Sequence, residues 1–311
     1  MNKNSLYYKD VYLIPKYSTL ESRSQANTQI LFGKTLFDLP VMPSNMKSVI
    51  DQRWSKWLSE NNFFYVMHRF DSITIPFVET ANKENWKTIS ISIGINQESK
   101  NEILKCKNQN FRIDYFTIDV AHGHHSKVKD MISFVKDLYP YSFLIVGNTA
   151  TTQATIDLEN WGADATKCCI GSGMACSTKM KTGFHVPPFS CVLECSKVAK
   201  KPIIADGGIE HYGDIAKALV AGGTMVMCGG LFASCIDSPA PLLNNKKIYF
   251  GNASERAKGE NKHVEGFEIG LSLDVTIEQK LKEIKEAIQS SISYAGGKDL
   301  SCFSSVDYIT I

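Results

Sequence analysis

Eight short apolar runs, each followed by a segment of helical periodicity, recur from residue 39 almost to the end of the chain. They are Leu39–Pro43, Phe63–His68, Thr88–Gly94, Tyr115–Ala121, Phe143–Asn148, Ala165–Gly171, Pro202–Gly207 and Thr224–Gly229. Most are unbroken and rich in Ile, Val and Met, the pattern of parallel strands covered on both faces. Between them, Val128, Met131, Val135 and Leu138 share one helical face, with lysines and aspartates opposite. Ile277, Leu281, Ile284, Ile288 and Ile292 repeat that stripe near the C-terminus, and Gly296-Gly297 supplies a stop. Eight strand–helix units predict a closed (β/α)8 barrel (a TIM barrel), one α/β domain over residues 1–311. A doubly wound sheet would place its phosphate loop after the first strand, whereas here the glycines gather after late strands. A weak internal echo supports the barrel: Trp161-Gly162-Ala163-Asp164 precedes one run as Ala221-Gly222-Gly223-Thr224 precedes another. Residues 1–30 are expected over one end of the barrel. Residues 231–275, too long for a plain loop and rich in charge and glycine, read as a flap inserted in the barrel.

The chain has 311 residues and a net charge of +2, so no basic stripe for nucleic acid is expected. Its apolar runs are too short to span a bilayer, and Met1-Asn2-Lys3-Asn4-Ser5 opens no signal peptide. The nine cysteines fit neither a bridge framework nor a zinc pattern. They read as reduced thiols of a cytoplasmic protein.

In such barrels chemistry sits at the C-terminal strand ends. Those ends read Ser44-Asn45, His68-Arg69, Gly94, Asp119, Asn148, Gly171 to Thr178, Asp206-Gly207-Gly208 and Gly229-Gly230, the lining of one polar pocket. The glycine doublets after the last two strands stand where this fold commonly holds a phosphate. The loop Gly171-Ser172-Gly173-Met174-Ala175-Cys176-Ser177-Thr178 can bring backbone and a thiol close to a ligand. His122-Gly123-His124-His125 lacks metal-ligand spacing, so no divalent metal is expected.

Over nearly its whole length the chain resembles the IMP dehydrogenase/GMP reductase family, nearest its bacterial-type reductase branch. The resemblance rests on Tyr8-Lys9-Asp10-Val11, Glu21-Ser22-Arg23, Asn45-Met46, Met67-His68-Arg69-Phe70-Asp71 and Ile118-Asp119-Val120-Ala121-His122-Gly123-His124. It continues through Gly162-Ala163-Asp164-Ala165-Thr166-Lys167, Lys181-Thr182-Gly183-Phe184, Ile204-Ala205-Asp206-Gly207-Gly208-Ile209 and Ser291-Ile292-Ser293-Tyr294-Ala295-Gly296-Gly297. It implies NADPH-dependent reductive deamination of GMP to IMP, with loss of ammonia from a covalent adduct at purine C2. Cys176 matches the nucleophile. Thr178 matches the residue that helps protonate the leaving amine, with Glu265 of the pair Glu265-Gly266 as its partner. Asp206 matches the ribose ligand. Asn45, Gly207, Gly208, Gly229, Gly230 and Gly266 complete the implied substrate set. Arg69 and Asp119 match positions beside the cofactor and substrate, with Ala121, Ser293 and Tyr294 on the cofactor side. Carbonyls of Gly171, Gly173 and Cys176 match a monovalent-cation (K+) site. A homotetramer is implied, with the cofactor reaching toward a neighbouring subunit.

Two departures stand out. The family's usual Lys-Val-Gly-Ile-Gly-Pro-Gly is here Lys167-Cys168-Cys169-Ile170-Gly171-Ser172-Gly173, so Cys169 replaces a glycine and is expected to narrow the phosphate cradle. After Gly183-Phe184 stands His185-Val186-Pro187-Pro188, expected to alter the mobility of the catalytic loop. One alternative is an IMP dehydrogenase lacking its regulatory module. Against it, the flap carries no Arg-Tyr pair, and the chain runs from His68-Arg69 to the next strand without an insertion. The other is a non-catalytic nucleotide-binding barrel, against which Cys176, Thr178 and Glu265 all argue.

Overall fold

A computed structural model describes residues 5–71, 74–259 and 262–311. Seven of the eight runs form one parallel sheet. Its order is Val41–Pro43, Met225–Cys228, Ile203–Asp206, Ala165–Cys168, Phe143–Thr149, Tyr115–Asp119, Ser90–Ile93. The last of these strands in sequence returns to pair with the first, Val226 opposite Val41, so the sheet curls as a barrel does.

The run Phe63–His68 is not a strand, which corrects one expected element. Only Met67 bonds to the neighbouring strand: its N–H donates to Ser90 O at 3.1 Å, and its carbonyl accepts from Ser92 N–H at 2.8 Å. Phe64, Tyr65 and Val66 are nonetheless fully buried. The Phe64 ring lies 5.1 Å from Phe32 and 5.2 Å from Phe37, centroid to centroid. Apolar burial keeps this segment in the eighth position with a single bridge, at Met67, in place of a ladder.

In the segment 5–30, Leu6, Tyr7 and Tyr8 lie beside Ser190, His185 and Gly208 near the C-terminal strand ends. The hairpin Ile30–Phe32/Thr35–Phe37 closes on the inside of the sheet. Its Phe32 and Phe37 join Met42, Phe64, Val66, Tyr115, Ile145, Ala165, Ile204, Met225 and Met227 in a separate inner cluster. The preceding segment runs along the outside. Val11–Leu13 pairs antiparallel with Tyr308–Thr310, and the turn Arg23–Gln25 packs on the helix Ile277–Tyr294. The outer layer follows the apolar stripes: Val128, Met131 and Val135 are buried on Ser126–Leu138, as are all five isoleucine and leucine positions of Ile277–Tyr294. In both echo motifs the glycine ends a helix in a left-handed conformation, Gly162 at φ +116° and Gly222 at φ +100°.

The described residues between 231 and 275 carry a small sheet of their own. Leu242–Leu243, Lys246–Phe250 and Glu268–Ser272 make a three-stranded antiparallel sheet, with the helix Glu255–Lys258 between the last two. Among the described residues, no helix is long and apolar enough to cross a membrane.

Candidate active site

The strand ends converge on one cavity of about 830 Å³. Asn45, Arg69, Asp119, Ala121, Gly171, Gly173, Cys176, Thr178, Asp206, Gly207, Gly208, Gly229, Gly230 and Glu265 all border it. At Gly229 a Cβ would stand 2.2 Å from the Tyr249 hydroxyl, so only glycine lets the chain pass there. The size suits a nucleotide with part of a second ligand.

The loop carrying Cys176 is held by the flap. The Ser177 N–H donates to Glu265 O at 2.8 Å, and the Phe267 N–H donates to Ala175 O at 3.1 Å. This short antiparallel bridge sets Cys176 opposite Gly266. Three side chains are brought into line by it. The Cys176 thiol donates to Thr178 Oγ1 at 3.2 Å, and the Thr178 hydroxyl donates to Glu265 Oε2 at 2.6 Å. The donors all run one way, so a proton leaving the thiol has a continuous route to a carboxylate.

A second network forms the floor. Lys167 is 2% exposed, on a strand of buried residues. Its ammonium donates to Asp206 Oδ2 at 2.6 Å, to Asp119 Oδ1 at 3.0 Å and to Asn148 Oδ1. Burial alone would push the Lys167 ammonium down, but Asp119 and Asp206 raise it above its ordinary value. Burial likewise opposes ionisation of Asp119, yet Lys167 and then Arg69 hold its carboxyl below the usual aspartate value. The Asn148 amide donates to Asp206 Oδ2 at 2.8 Å and to Cys169 O at 2.7 Å. Burial pushes the Tyr249 hydroxyl up, so it stays a neutral donor beside Gly229. Ser172 Oγ, Arg69 Nε and Asn252 Oδ1 are buried without a partner among the described residues, and all three residues border the cavity. Buried polar atoms normally find partners, so these orphans point to a polar ligand.

Matches to known proteins agree with this geometry. Residues 5–309 match the family profile described as IMP dehydrogenase / GMP reductase domain. The chain belongs to the IMP dehydrogenase/GMP reductase family. A GMP reductase of Leptothrix cholodnii is 45% identical over 310 residues, covering 98% of this chain and 95% of that protein. One from Staphylococcus epidermidis is 45% identical over 311 residues, with the same shares covered. A third, from Acidovorax sp., is 44% identical over 310 residues.

Not every family position borders the cavity. Ser293 and Tyr294 do not border the cavity of their own chain. They end the helix Ile277–Tyr294, where Tyr294 is 59% exposed with the Arg23 guanidinium over its ring. Gly266 pairs with Cys176 and does not line the cavity. Gly173 O, one of the three carbonyls matched to the family's cation site, accepts from Cys176 N–H at 3.0 Å and keeps a second lone pair. In the histidine cluster, His124 bonds Asp157 at 2.9 Å, and His125 accepts from Lys127 N–H at the start of a helix. Cys169, where the family has glycine, sits at φ +89° with its side chain buried. His185 bonds Ile170 O at 2.7 Å and Tyr7 Oη at 3.2 Å, tying the end of the Cys176 loop to the N-terminal segment.

Sequence reasoning missed Tyr249 and treated Lys167 only as part of a motif. A lysine inside an apolar strand was a usable signal, because buried lysine demands paired acids. Nothing in the local sequence marks Tyr249, which reaches the site only through the fold of the flap.

Proposed function

We propose that this protein is a GMP reductase that converts GMP, NADPH and one proton to IMP, ammonia and NADP+. The observation that carries the reading is the thiol–hydroxyl–carboxylate run Cys176–Thr178–Glu265, assembled across the catalytic loop and the flap. Relatives 45% identical to it over 98% of the chain bear that name.

In this reading Cys176 Sγ bonds to purine C2 and its proton passes through Thr178 to Glu265. The same carboxyl, acting through the Thr178 hydroxyl, returns a proton to the amino group, which leaves as ammonia. The nicotinamide cofactor, when bound, supplies the hydride that takes the amine's place. Departure of the Cys176 thiolate then yields IMP. Asp206, fixed by Lys167 and Asn148, holds the ribose hydroxyls, and the glycines at 207, 208, 229 and 230 admit the phosphate. Room for the cofactor comes from the cavity's extension past Arg69 to Phe70, Asn96 and Glu98, and under the flap to Lys258 and His263. Arg69 Nε and Asn252 Oδ1, both unpartnered, are polar atoms able to meet it.

Three further parts belong to the proposal. A monovalent cation rests on the carbonyls of Gly171, Gly173 and Cys176. The protein works as a cytoplasmic homotetramer. Ser293 and Tyr294 meet the cofactor of a neighbouring copy, which their exposure away from their own cavity allows.

The deciding assay follows NADPH absorbance with GMP present, beside NAD+ reduction with IMP. GMP-dependent loss of NADPH is expected. NAD+ reduction without it would instead assign the dehydrogenase reaction, and silence in both would leave a binding protein.

A further inference from the structure

The chain enters the Cys176 loop at Ile170 and leaves it at His185, and one hydrogen bond joins those two ends. His185 Nδ1 lies 2.7 Å from Ile170 O. A carbonyl only accepts, so Nδ1 carries the hydrogen and donates. In the neutral ring Nε2 is then an acceptor, and the Tyr7 hydroxyl stands 3.2 Å from it, able to donate. The Tyr7 and His185 rings are stacked, with 5.6 Å between centroids and 28° between planes. Among the described residues, no other group donates to Ile170 O. The ring also packs on the next residue: a Cβ at Gly171 would lie 3.3 Å from His185 Nδ1. Tyr7 is itself held between anchored neighbours. The Leu6 N–H donates to Ser190 Oγ at 2.8 Å, and the Leu6 carbonyl accepts from Ser190 N–H at 3.2 Å. Tyr8 is 2% exposed, and its ring lies 3.5 Å from where a Gly208 Cβ would stand.

We propose that His185, steadied by Tyr7, is a positioning residue that fixes the base of the Cys176 loop and so sets the Cys176 sulfur for its attack. The loop has two sets of ties. Those near its tip, Ser177 N–H to Glu265 O and Phe267 N–H to Ala175 O, belong to the flap. The His185 bond closes the base and uses no flap residue. Without it Ile170 O loses its donor. The turn, with positive φ on either side of Ile170 (+89° at Cys169, +74° at Gly171), then loses its brace. A loop freed at its base samples more positions of the sulfur, and a misplacement of about 1 Å at a reacting atom costs about 100-fold in rate. GMP affinity is a separate quantity, since Asp206 and the glycines at 207, 208, 229 and 230 stand on other strand ends. His185 also lies in the segment where this chain departs from the family pattern. The kinetic part of the proposal rests on the role given to Cys176 above; the ordering of the loop does not.

The test compares three forms of the full chain. They are the wild type, His185→Leu, which keeps bulk without a donor, and His185→Asn, whose amide nitrogen can take the place of Nδ1. The kcat and KM for GMP are measured with NADPH. Order in the loop is read by trypsin cleavage at Lys179 and Lys181, both exposed in the short helix Thr178–Thr182, with peptides mapped by mass spectrometry. For His185→Leu, kcat is expected to fall about tenfold while KM stays within about twofold. Cleavage at the two lysines should quicken about tenfold while other sites keep their rates. His185→Asn should recover most of both. An unchanged kcat, a rise in KM alone, cleavage quickened evenly along the chain, or an asparagine variant no better than the leucine one would each overturn the proposal. If His185→Leu folds poorly, Tyr7→Phe decides it. Removing that hydroxyl alone should lower kcat about threefold and quicken the same cleavages, and no change in either would overturn the proposal. A wild type without GMP-dependent loss of NADPH would instead count against the functional reading, and the cleavage pattern would still decide whether His185 orders the loop.

Discussion

Thr178 and Glu265 are 87 positions apart in the chain and 2.6 Å apart in the structure, hydroxyl to carboxylate. The contact exists because the flap lays one residue pair along the catalytic loop, Cys176 against Gly266. Flap position and acid–base competence are therefore one variable: if the flap lifts, the carboxylate leaves with it.

Glu265→Gln should impair deamination far more than hydride transfer. The amide keeps its shape and can hydrogen-bond Thr178, but it does not exchange a proton at neutral pH. Turnover with GMP should fall by about 100-fold or more. With IMP and NADP+, a pre-steady-state burst of NADPH should fall less than GMP turnover, since the amide blocks the proton route from the thiol but no ammonia has to be activated. A burst lost as completely as GMP turnover, with IMP still bound, would mean that Glu265 serves the thiol or flap closure rather than the leaving amine.

Cys176→Ala should abolish turnover and leave GMP binding largely intact. The expected loss is several orders of magnitude, because the covalent step disappears while the cavity's glycines and Asp206 remain. Appreciable GMP-dependent NADPH oxidation by this variant would defeat the covalent reading. Titration calorimetry with GMP checks the binding half.

Lys167→Met should be costly for a different reason. It leaves Asp119 and Asp206 as buried carboxylates without their shared cation. Breaking such a buried pair costs about 3–5 kcal/mol. The cost should shrink as pH falls, because the stranded carboxylates can then take up protons. In the wild type the signs are opposite at the two ends. Asp119, depressed in the fold, loses its contribution only as pH drops below the ordinary aspartate value, and Lys167, raised, only above the ordinary lysine value. Denaturant melts of both proteins at pH 5, 7 and 9 measure this; a pH-independent difference would contradict it.

Periodicity exposed the barrel because strands covered on both faces must be apolar along their buried length, as Ile203, Ile204 and Ala205 and the strand Met225–Cys228 are. It overstated Phe63–His68, whose residues are equally apolar but are held by Phe32 and Phe37 rather than by a ladder. Apolarity reports burial, and burial does not specify hydrogen bonding. The site was legible where glycine and polar residues end strands. It was illegible where a distant segment folds in, as Tyr249 does, or where partners rather than residue type decide a role. Asn148 shows the latter: the sequence places it at a strand end, but only its two acceptors, Cys169 O and Asp206, reveal what it couples.

His68 gives the protein an acid-sensitive point outside the reaction itself. Its ring is 8% exposed at the end of the segment that lacks ladder bonds, and its Nδ1 has no partner among the described residues. Burial drives the imidazole down to about 4; Asp71 pulls it up and Lys47 pushes it down, and these two are themselves paired at 2.7 Å. The unfolded chain holds this proton with a pKa of about 6.5. Between those values the unfolded state binds more protons than the folded one, so stability falls as pH falls. The whole effect is about 3 kcal/mol, fully felt near pH 4 and absent above about pH 7. His68→Gln removes the titration. The stability gap between wild type and variant should therefore narrow steadily from pH 7.5 to pH 4.5 in denaturant melts. Parallel curves across that interval would mean that the imidazole keeps its unfolded-state pKa in the fold, reaching water on a path that its packing beside Phe70 does not provide.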